Sequence, residues 1–196
     1  EIMPSLVGSE MCIRDRGTTV ITAHVFIAIS LDGFIARQDG DLAWLLQRDN
    51  GTEDHGYSTF IADKDMIVMG RGTYEKVLAF DAWPYDRPVL VLSKQLADQP
   101  VPEALQGKVR FSSLAPQQAM AELAGQGVHR VYVDGGQLIQ SFLREGLVAD
   151  LVITTVPVLL GSGRPLFGAL SQDIDLKLIS SCLLYTSDAA DDLLCV

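Results

Sequence analysis

Three short apolar runs of the sequence are each followed by small or polar residues of the types that bind phosphate. These corners lie at residues 69–73, 92–94 and 133–137. Glycine lets the backbone approach a phosphate closely, and a helix that begins there presents unpaired N–H groups. Arg71, Ser93 and Lys94 add charged and hydroxyl donors. A Gly-Gly pair after a strand is more often a tight turn, but three such corners together favour a nucleotide site.

Other residue types and the overall charge exclude several classes of function. The histidines have no metal-ligand spacing, and the three cysteines lie near the chain ends, so we expect no metal site and no disulfide framework. A serine-hydrolase elbow, a Rossmann fingerprint and a Walker motif are absent from the sequence. The net charge of −10, without a basic stripe, argues against nucleic acid and anionic membranes as partners. We expect a cytoplasmic protein with a small-molecule substrate.

The core of the sequence alternates between short apolar runs and helical patterns. Strands are predicted at residues 20–30, 66–69, 89–92, 109–111, 128–133, 151–156 and 176–179, with a short extended piece at 34–36. Helices are predicted at 57–64, 73–79, 116–125 and 138–145, after turns at 70–72 and 135–136. This alternation predicts a mostly parallel α/β sheet with helices on both faces. Ligands of such sheets bind at the carboxyl ends of the strands, where the three corners lie.

The two ends of the chain differ in character from this core. The DNA that encodes residues 11–15 and 182–186 is compatible with one inverted repeat, and both ends resemble translated sequencing adapter. We therefore expect residues 1–16 and 182–196 to be non-native extensions of one domain formed by residues 17–181. The alternative is a native N-terminal arm and C-terminal tail.

Four segments carry a family resemblance: 30–36 (Ser-Leu-Asp-Gly-Phe-Ile-Ala), 67–75 (Ile-Val-Met-Gly-Arg-Gly-Thr-Tyr-Glu), 133–136 (Val-Asp-Gly-Gly) and 157–167 (Pro-Val-Leu-Leu-Gly-Ser-Gly-Arg-Pro-Leu-Phe). Together they resemble the dihydrofolate-reductase-like superfamily, especially the riboflavin-biosynthesis reductase domain of the bifunctional deaminase-reductase and its stand-alone relatives. The resemblance covers about residues 23–181. It implies NADPH as cofactor and hydride transfer to a heterocycle of the ribosylamino-pyrimidine type, as in 5-amino-6-(5-phosphoribosylamino)uracil reductase. Family members usually add one more strand, so we expect the C-terminal edge strand to be missing beside residues 176–179.

The same resemblance implies roles for individual cofactor-binding residues. Ala28 and Ile35 would line the nicotinamide. Arg71 would lie beside the 2′-phosphate, where Ser93 and Lys94 complete the site. The other implied contacts are to the cofactor's phosphates and come from Gly70, Thr73, Gly135, Gly136, Gln137 and Leu138.

On the substrate side the sequence leaves alternatives open at each position. Asp49 follows Trp44 by five residues, as a proton-assisting carboxylate follows the loop tryptophan in dihydrofolate reductases, but residues 47–51 also read as an exposed polar loop. Asp32 either contacts substrate or caps its own turn. The remaining candidates for substrate contact are Trp44, Thr154, Tyr57 and Phe60. Thr154 could instead serve strand propensity, and Tyr57 and Phe60 could serve core packing.

Three rival interpretations remain at this point. A true dihydrofolate reductase is less well supported, because Ala43 precedes Trp44 where that motif has proline. A nucleotide-binding module without catalysis would bind the cofactor but show no turnover. A truncated chain that never folds stably would show no cooperative melt. Relatives in this group are often dimers, so the resemblance also allows a homodimer.

Overall fold

The computed structural model describes residues 20–48 and 54–181. Its strands are β1 (Thr22–Ser30), β2 (Phe34–Ala36), β3 (Met66–Gly70), β4 (Val89–Leu92), β5 (Val109–Ser112), β6 (Arg130–Asp134), β7 (Val148–Val156) and β8 (Arg164–Pro165). Its α-helices are α1 (Ala43–Leu46), α2 (Tyr57–Ala62), α3 (Arg71–Leu78), α4 (Pro116–Gly125) and α5 (Gly136–Arg144). Six strands form a parallel sheet in the order β5-β4-β3-β6-β1-β7, and β2 pairs with β8 antiparallel. The predicted mostly parallel α/β fold is confirmed.

Apolar side chains fill a core on each face of this sheet. Along β3, Val68 faces one core while Ile67 and Met69 face the other, because successive side chains of a strand point to opposite faces. The first core includes Phe142 of α5, which is fully buried. The second core includes Tyr74 of α3. Both faces are therefore covered, as a buried parallel sheet requires.

The short antiparallel pair β2–β8 holds residues 34–36 beside residues 164–165. The turn at residues 31–33 links β1 to β2, and the Leu166 amide donates a hydrogen bond to the Gly33 carbonyl. The Leu31 amide donates to the carbonyl of Val158 in the same way. Residues 157–166 are thus held against the β1–β2 turn, close to the carboxyl end of the sheet.

The predicted strand at 176–179 is wrong. The segment has no strand structure, and Leu176, Leu178 and Ile179 are exposed by 65%, 79% and 82%. Apolar alternation marks a strand only where a neighbouring strand supplies hydrogen-bond partners. In the described part of the chain, β7 is the edge strand on this side of the sheet.

Two predicted helix starts are also wrong by a few residues. Helix α3 begins at Arg71, where a turn over 70–72 is predicted, and α5 begins at Gly136, where a turn over 135–136 is predicted. In each case one glycine, Gly70 or Gly135, makes the whole change of direction as the N-cap residue. The helix can then start directly after the strand, which brings its N–H groups to the sheet edge. Among the described residues, no helix is long and apolar enough to cross a membrane.

Candidate active site

The three predicted corners come together at one edge of the sheet. Strands β4, β3 and β6 are neighbours, and their registers place Gly70 opposite Leu92 and Met69 opposite Asp134. The carboxyl ends of parallel strands share an edge, so the loops that follow them face the same solvent region. The structure therefore assembles the phosphate-type donors that the sequence analysis selected.

The Gly135–Gly136 corner is packed too tightly for side chains. Gly135 has a φ of +104°, and a Cβ there would lie 2.5 Å from the hydroxyl oxygen of Thr73. A Cβ on Gly136 would lie 2.5 Å from Cδ1 of Ile35. The two glycines thus bring α3, α5 and β2 into contact. A glycine corner at the start of a helix is the kind of backbone cradle that accepts a pyrophosphate.

Beside this corner lies a cleft of about 480 Å³ between β4, β5 and α5. Its lining includes Ser93, Lys94 and Leu138, three of the predicted cofactor residues. Arg71 lines a neighbouring cleft of about 400 Å³ on the other side of β4 and forms an exposed ion pair with Glu75 at 2.9 Å. Gln137 is exposed on the first turn of α5. Hydroxyl, ammonium and guanidinium donors therefore surround one strand end.

Asp32 makes contacts that favour the capping interpretation over substrate contact. The Ser30 hydroxyl donates to its carboxylate at 2.6 Å, and the backbone amides of Leu160 and Gly161 donate to it at 3.0 Å and 2.7 Å. These hydrogen bonds to the charged form hold the pKa of Asp32 below its ordinary value. Asp32 therefore fastens residues 160–161 to the β1–β2 turn, and no local pattern of the sequence indicates these distant partners.

Tyr57 and Phe60 pack in a group of aromatic rings on the same face as Asp134. Phe26 lies 5.6 Å from Tyr57 and 5.1 Å from Phe60 between ring centroids. Phe60 in turn meets Tyr132 edge-on at 5.2 Å. These ring contacts support core packing, and a substrate-binding role for Tyr57 and Phe60 stays a prediction. We call this group, together with Trp83 and Tyr85, the aromatic wall.

Asp134 lies in the Val-Asp-Gly-Gly motif but is not among the predicted site residues. It ends β6 and is partly buried, and the Gly135 amide and the Tyr85 hydroxyl are the neighbouring donors that favour its charged form. Burial outweighs these donors and raises its pKa from 3.8 to about 6. The available signal was an acid between a buried strand and a Gly-Gly corner at the ligand edge. Such a carboxyl group can carry a proton near neutral pH and release it.

The sequence matches the family model of the RibD C-terminal domain over residues 21–187. It is 34% identical over 158 residues to the uncharacterized Bacillus subtilis protein YwjB, covering 79% of this chain and 87% of that one. The chain belongs to the RibD C-terminal domain family.

Solved structures share the fold of this chain. A protein of Shewanella sp. PV-4, provisionally assigned to riboflavin biosynthesis, is 39% identical with a TM-score of 0.77, covering 84% of this chain and 92% of that one. The deaminase/reductase of Thermotoga maritima gives a TM-score of 0.61 at 15% identity, with 86% and 54% covered. The Enterococcus faecalis dihydrofolate reductase gives 0.58 at 17%, with 84% and 88% covered. The last two show the fold alone, which is dihydrofolate-reductase-like as the sequence resemblance implied.

In this RibD-type domain, the buried indole N–H groups of Trp44 and Trp83 have no hydrogen-bond acceptor among the described residues, and Trp44 is only 3% exposed. A buried donor without an acceptor is costly, so an acceptor outside the described residues would stabilise either group. Trp83 also contacts Tyr85 at 5.4 Å between ring centroids, which connects it to the partner of Asp134.

Two further substrate-side predictions concern Thr154 and Asp49. Thr154 lies opposite Ala28 in the β1–β7 register, so the two side chains share a face of the sheet. Asp49 lies outside the described residues, and its catalytic role stays a prediction. Within the described residues, no group of histidine, cysteine or carboxylate side chains has the geometry of a metal site. Among the described residues at this edge of the sheet, Asp134 and the tyrosines around it can take part in acid–base chemistry.

Proposed function

We propose that this RibD-type protein is an NADPH-dependent reductase that transfers a hydride to a small heterocyclic substrate, of the kind found in the riboflavin pathway. The observation that carries the proposal is the direct succession of Asp134 and Gly135–Gly136 at the sheet edge. A carboxyl group that holds a proton at about pH 6 lies next to a glycine cradle fit for a dinucleotide pyrophosphate. A reductase needs both, because reduction of a C=N bond consumes one hydride and one proton.

The residues of the site fit the cofactor at three places. Gly135 precedes the first turn of α5, whose backbone N–H groups can donate to a pyrophosphate at the sheet edge. The cleft lined by Ser93 and Lys94 has donors for the 2′-phosphate of NADPH, and Arg71 can leave its exposed pair with Glu75 to join them. Ile35 packs against the same corner and supplies an apolar surface for the nicotinamide.

In the proposed mechanism the chain's own residues position the reactants and move the proton. NADPH, when bound, supplies the hydride. The protonated Asp134 carboxyl donates its proton to the substrate nitrogen, and the carboxylate left behind regains a proton from solvent. The Tyr85 hydroxyl lies beside the same carboxylate and stabilises its ionised form until a proton returns. The aromatic wall lowers the local polarity beside the carboxyl group, which strengthens these interactions.

The cofactor part of the proposal is tested by binding. We expect NADPH to quench fluorescence and to stabilise the full-length protein by about 2.7 kcal/mol at a hundredfold excess over Kd. Arg71→Ala should weaken NADPH binding about tenfold and leave NADH binding unchanged. Arg110→Ala is the matched control, since Arg110 forms an equally exposed pair with Glu122 at 2.9 Å. A cooperative melt that neither nucleotide shifts would refute the cofactor assignment.

The proton-transfer part is tested by turnover at different pH values. NADPH oxidation with 5-amino-6-ribosylaminouracil or its 5′-phosphate should slow as pH rises through about 6, because Asp134 then loses the proton it must donate. Asp134→Asn should lower kcat at least a hundredfold and leave the Kd for NADPH within about threefold. Unchanged kcat in this variant would remove Asp134 from the mechanism.

A further inference from the structure

The Arg71–Glu75 ion pair places two opposite charges on the first turns of α3. The Arg71 guanidinium donates to the Glu75 carboxylate at 2.9 Å, across the i,i+4 spacing of the helix. The two side chains are 46% and 51% exposed, so both charged groups reach solvent. Arg71 is the first residue of α3 and directly follows β3 at the carboxyl edge of the sheet. The place proposed for the 2′-phosphate of NADPH therefore contains a carboxylate as well as cations.

Both members of this pair line the cleft of about 400 Å³, which a turn over residues 93–96 separates from the cleft of about 480 Å³. The Ser93 hydroxyl oxygen accepts hydrogen bonds from the Gln95 and Leu96 amides, each at 3.2 Å. Ser93 and Lys94 line the larger cleft, and Gln95 and Leu96 line the smaller one. A nucleotide whose ribose lies at this turn would therefore meet the Arg71–Glu75 pair. Among the described residues that line the two clefts, Glu75 is the one carboxylate.

Guanidinium and carboxylate groups favour opposite forms of a ribose 2′ position. A guanidinium binds a 2′-phosphate through paired, charge-assisted hydrogen bonds. A carboxylate accepts a hydrogen bond from a free 2′-hydroxyl and repels a phosphate, because the two anions have the same charge. While the Glu75 carboxylate holds Arg71, it also occupies N–H donors that a phosphate would need. Glu75 therefore opposes a 2′-phosphate both by repulsion and by competition for the guanidinium.

We propose that Glu75 determines cofactor specificity in this protein by limiting the preference for NADPH over NADH. This inference rests on the proposed function and names a further residue of the same site. Arg71 and Lys94 favour the phosphorylated ribose, whereas the Glu75 carboxylate favours the free 2′-hydroxyl. Both nucleotides should therefore bind, with NADPH the tighter of the two.

The experiment measures Kd for NADPH and for NADH by nicotinamide fluorescence with the full-length protein. Glu75→Gln removes the charge at nearly unchanged volume, so the ratio of Kd for NADH to Kd for NADPH should rise at least fivefold. Glu122→Gln is the matched control, because Glu122 pairs with Arg110 at the same 2.9 Å and the two side chains are 39% and 44% exposed. An unchanged ratio in Glu75→Gln, with both nucleotides bound, would overturn the inference. If neither nucleotide binds to wild type, the proposed function fails and the inference fails with it.

Two further measurements distinguish an electrostatic role of Glu75 from a structural one. The increase in the ratio should shrink at least twofold between about 0.1 M and about 1 M salt, since the screening length falls from about 10 Å to about 3 Å. It should also be at least twofold smaller in an Arg71→Ala background, where no guanidinium is left to release. Adenosine 2′,5′-bisphosphate and adenosine 5′-monophosphate, which differ only in the 2′-phosphate, should show the same change as the two dinucleotides. An increase that depends on neither salt nor Arg71 would contradict the proposal.

Discussion

Replacing Asp134 by asparagine should change how the stability of the protein depends on pH. Burial raises the pKa of this carboxyl group to about 6 from an ordinary value of 3.8. In the unfolded chain the group loses its proton near pH 3.8, while in the folded protein it keeps the proton up to about pH 6. Between these two values the folded state binds more protons, so its stability falls as the pH rises. An asparagine side chain has no proton to lose, so the Asp134→Asn variant would lack this fall.

The magnitude follows from the displacement of the pKa. One pKa unit corresponds to about 1.4 kcal/mol, so the displacement from 3.8 to about 6 corresponds to at most about 3 kcal/mol. The advantage of Asp134→Asn over wild type should therefore grow by up to about 3 kcal/mol between pH 4 and pH 7. Above pH 7 it should stay constant, because the carboxyl group is then ionised in both states.

Urea denaturation at half-unit intervals from pH 4 to pH 8 measures this difference directly. Subtracting the two unfolding free energies removes the contribution of every other titrating group that the substitution leaves unchanged. Tyr85→Phe serves as a second probe, because the Tyr85 hydroxyl lowers the pKa of Asp134. In this variant the unfolding free energy should therefore go on falling to a higher pH than in wild type. If the difference in unfolding free energy between wild type and Asp134→Asn is the same at pH 4 and pH 7, the raised pKa of Asp134 is refuted.

Three further predictions concern folding and loop contacts. Gly135→Ala should lower the unfolding free energy by about 1–3 kcal/mol in urea denaturation, because φ is +104° and Thr73 lies in the way; an unchanged midpoint would contradict this. Asp32→Asn should lower the Tm and speed proteolytic cleavage near Gly161, because an amide cannot accept all three hydrogen bonds that the carboxylate accepts. Unchanged proteolysis would contradict the proposed attachment of residues 160–161 by Asp32. Burial lowers the pKa of His24, so wild type should lose stability as pH falls below 6.5, and His24→Gln should lose less.

Local patterns of the sequence were sufficient to predict the elements and corners that depend on neighbours in the chain. The run 89–92 forms β4 as expected, and Pro116 begins α4 where helix-start rules place it. The glycines at the ends of β3 and β6 lie side by side at the carboxyl edge of the sheet, as predicted from the sequence. These features need only hydrophobic alternation and turn chemistry, which a short window contains.

Features that depend on distant partners could not be read in the same way. Asp32 is fixed by amides 128 and 129 positions away, which no local pattern encodes. The pKa of Asp134 depends on its burial, which is set by rings from other parts of the chain. The strand at 176–179 was wrongly predicted from its composition, because pairing requires a partner as well as apolar side chains.

The position of β1 beside the edge strand β7 has a consequence for synthesis on the ribosome. This strand lies between β6 and β7, and His24 in it meets Asp150, 126 positions later, at 2.8 Å. At translation rates of about 5–20 residues per second, β1 waits about 6–25 s before its second neighbour emerges. During that interval its apolar side chains and unpaired backbone groups are available to chaperones or to other nascent chains. The yield of folded protein should therefore respond to translation speed and to chaperone supply more strongly than in domains built from local hairpins.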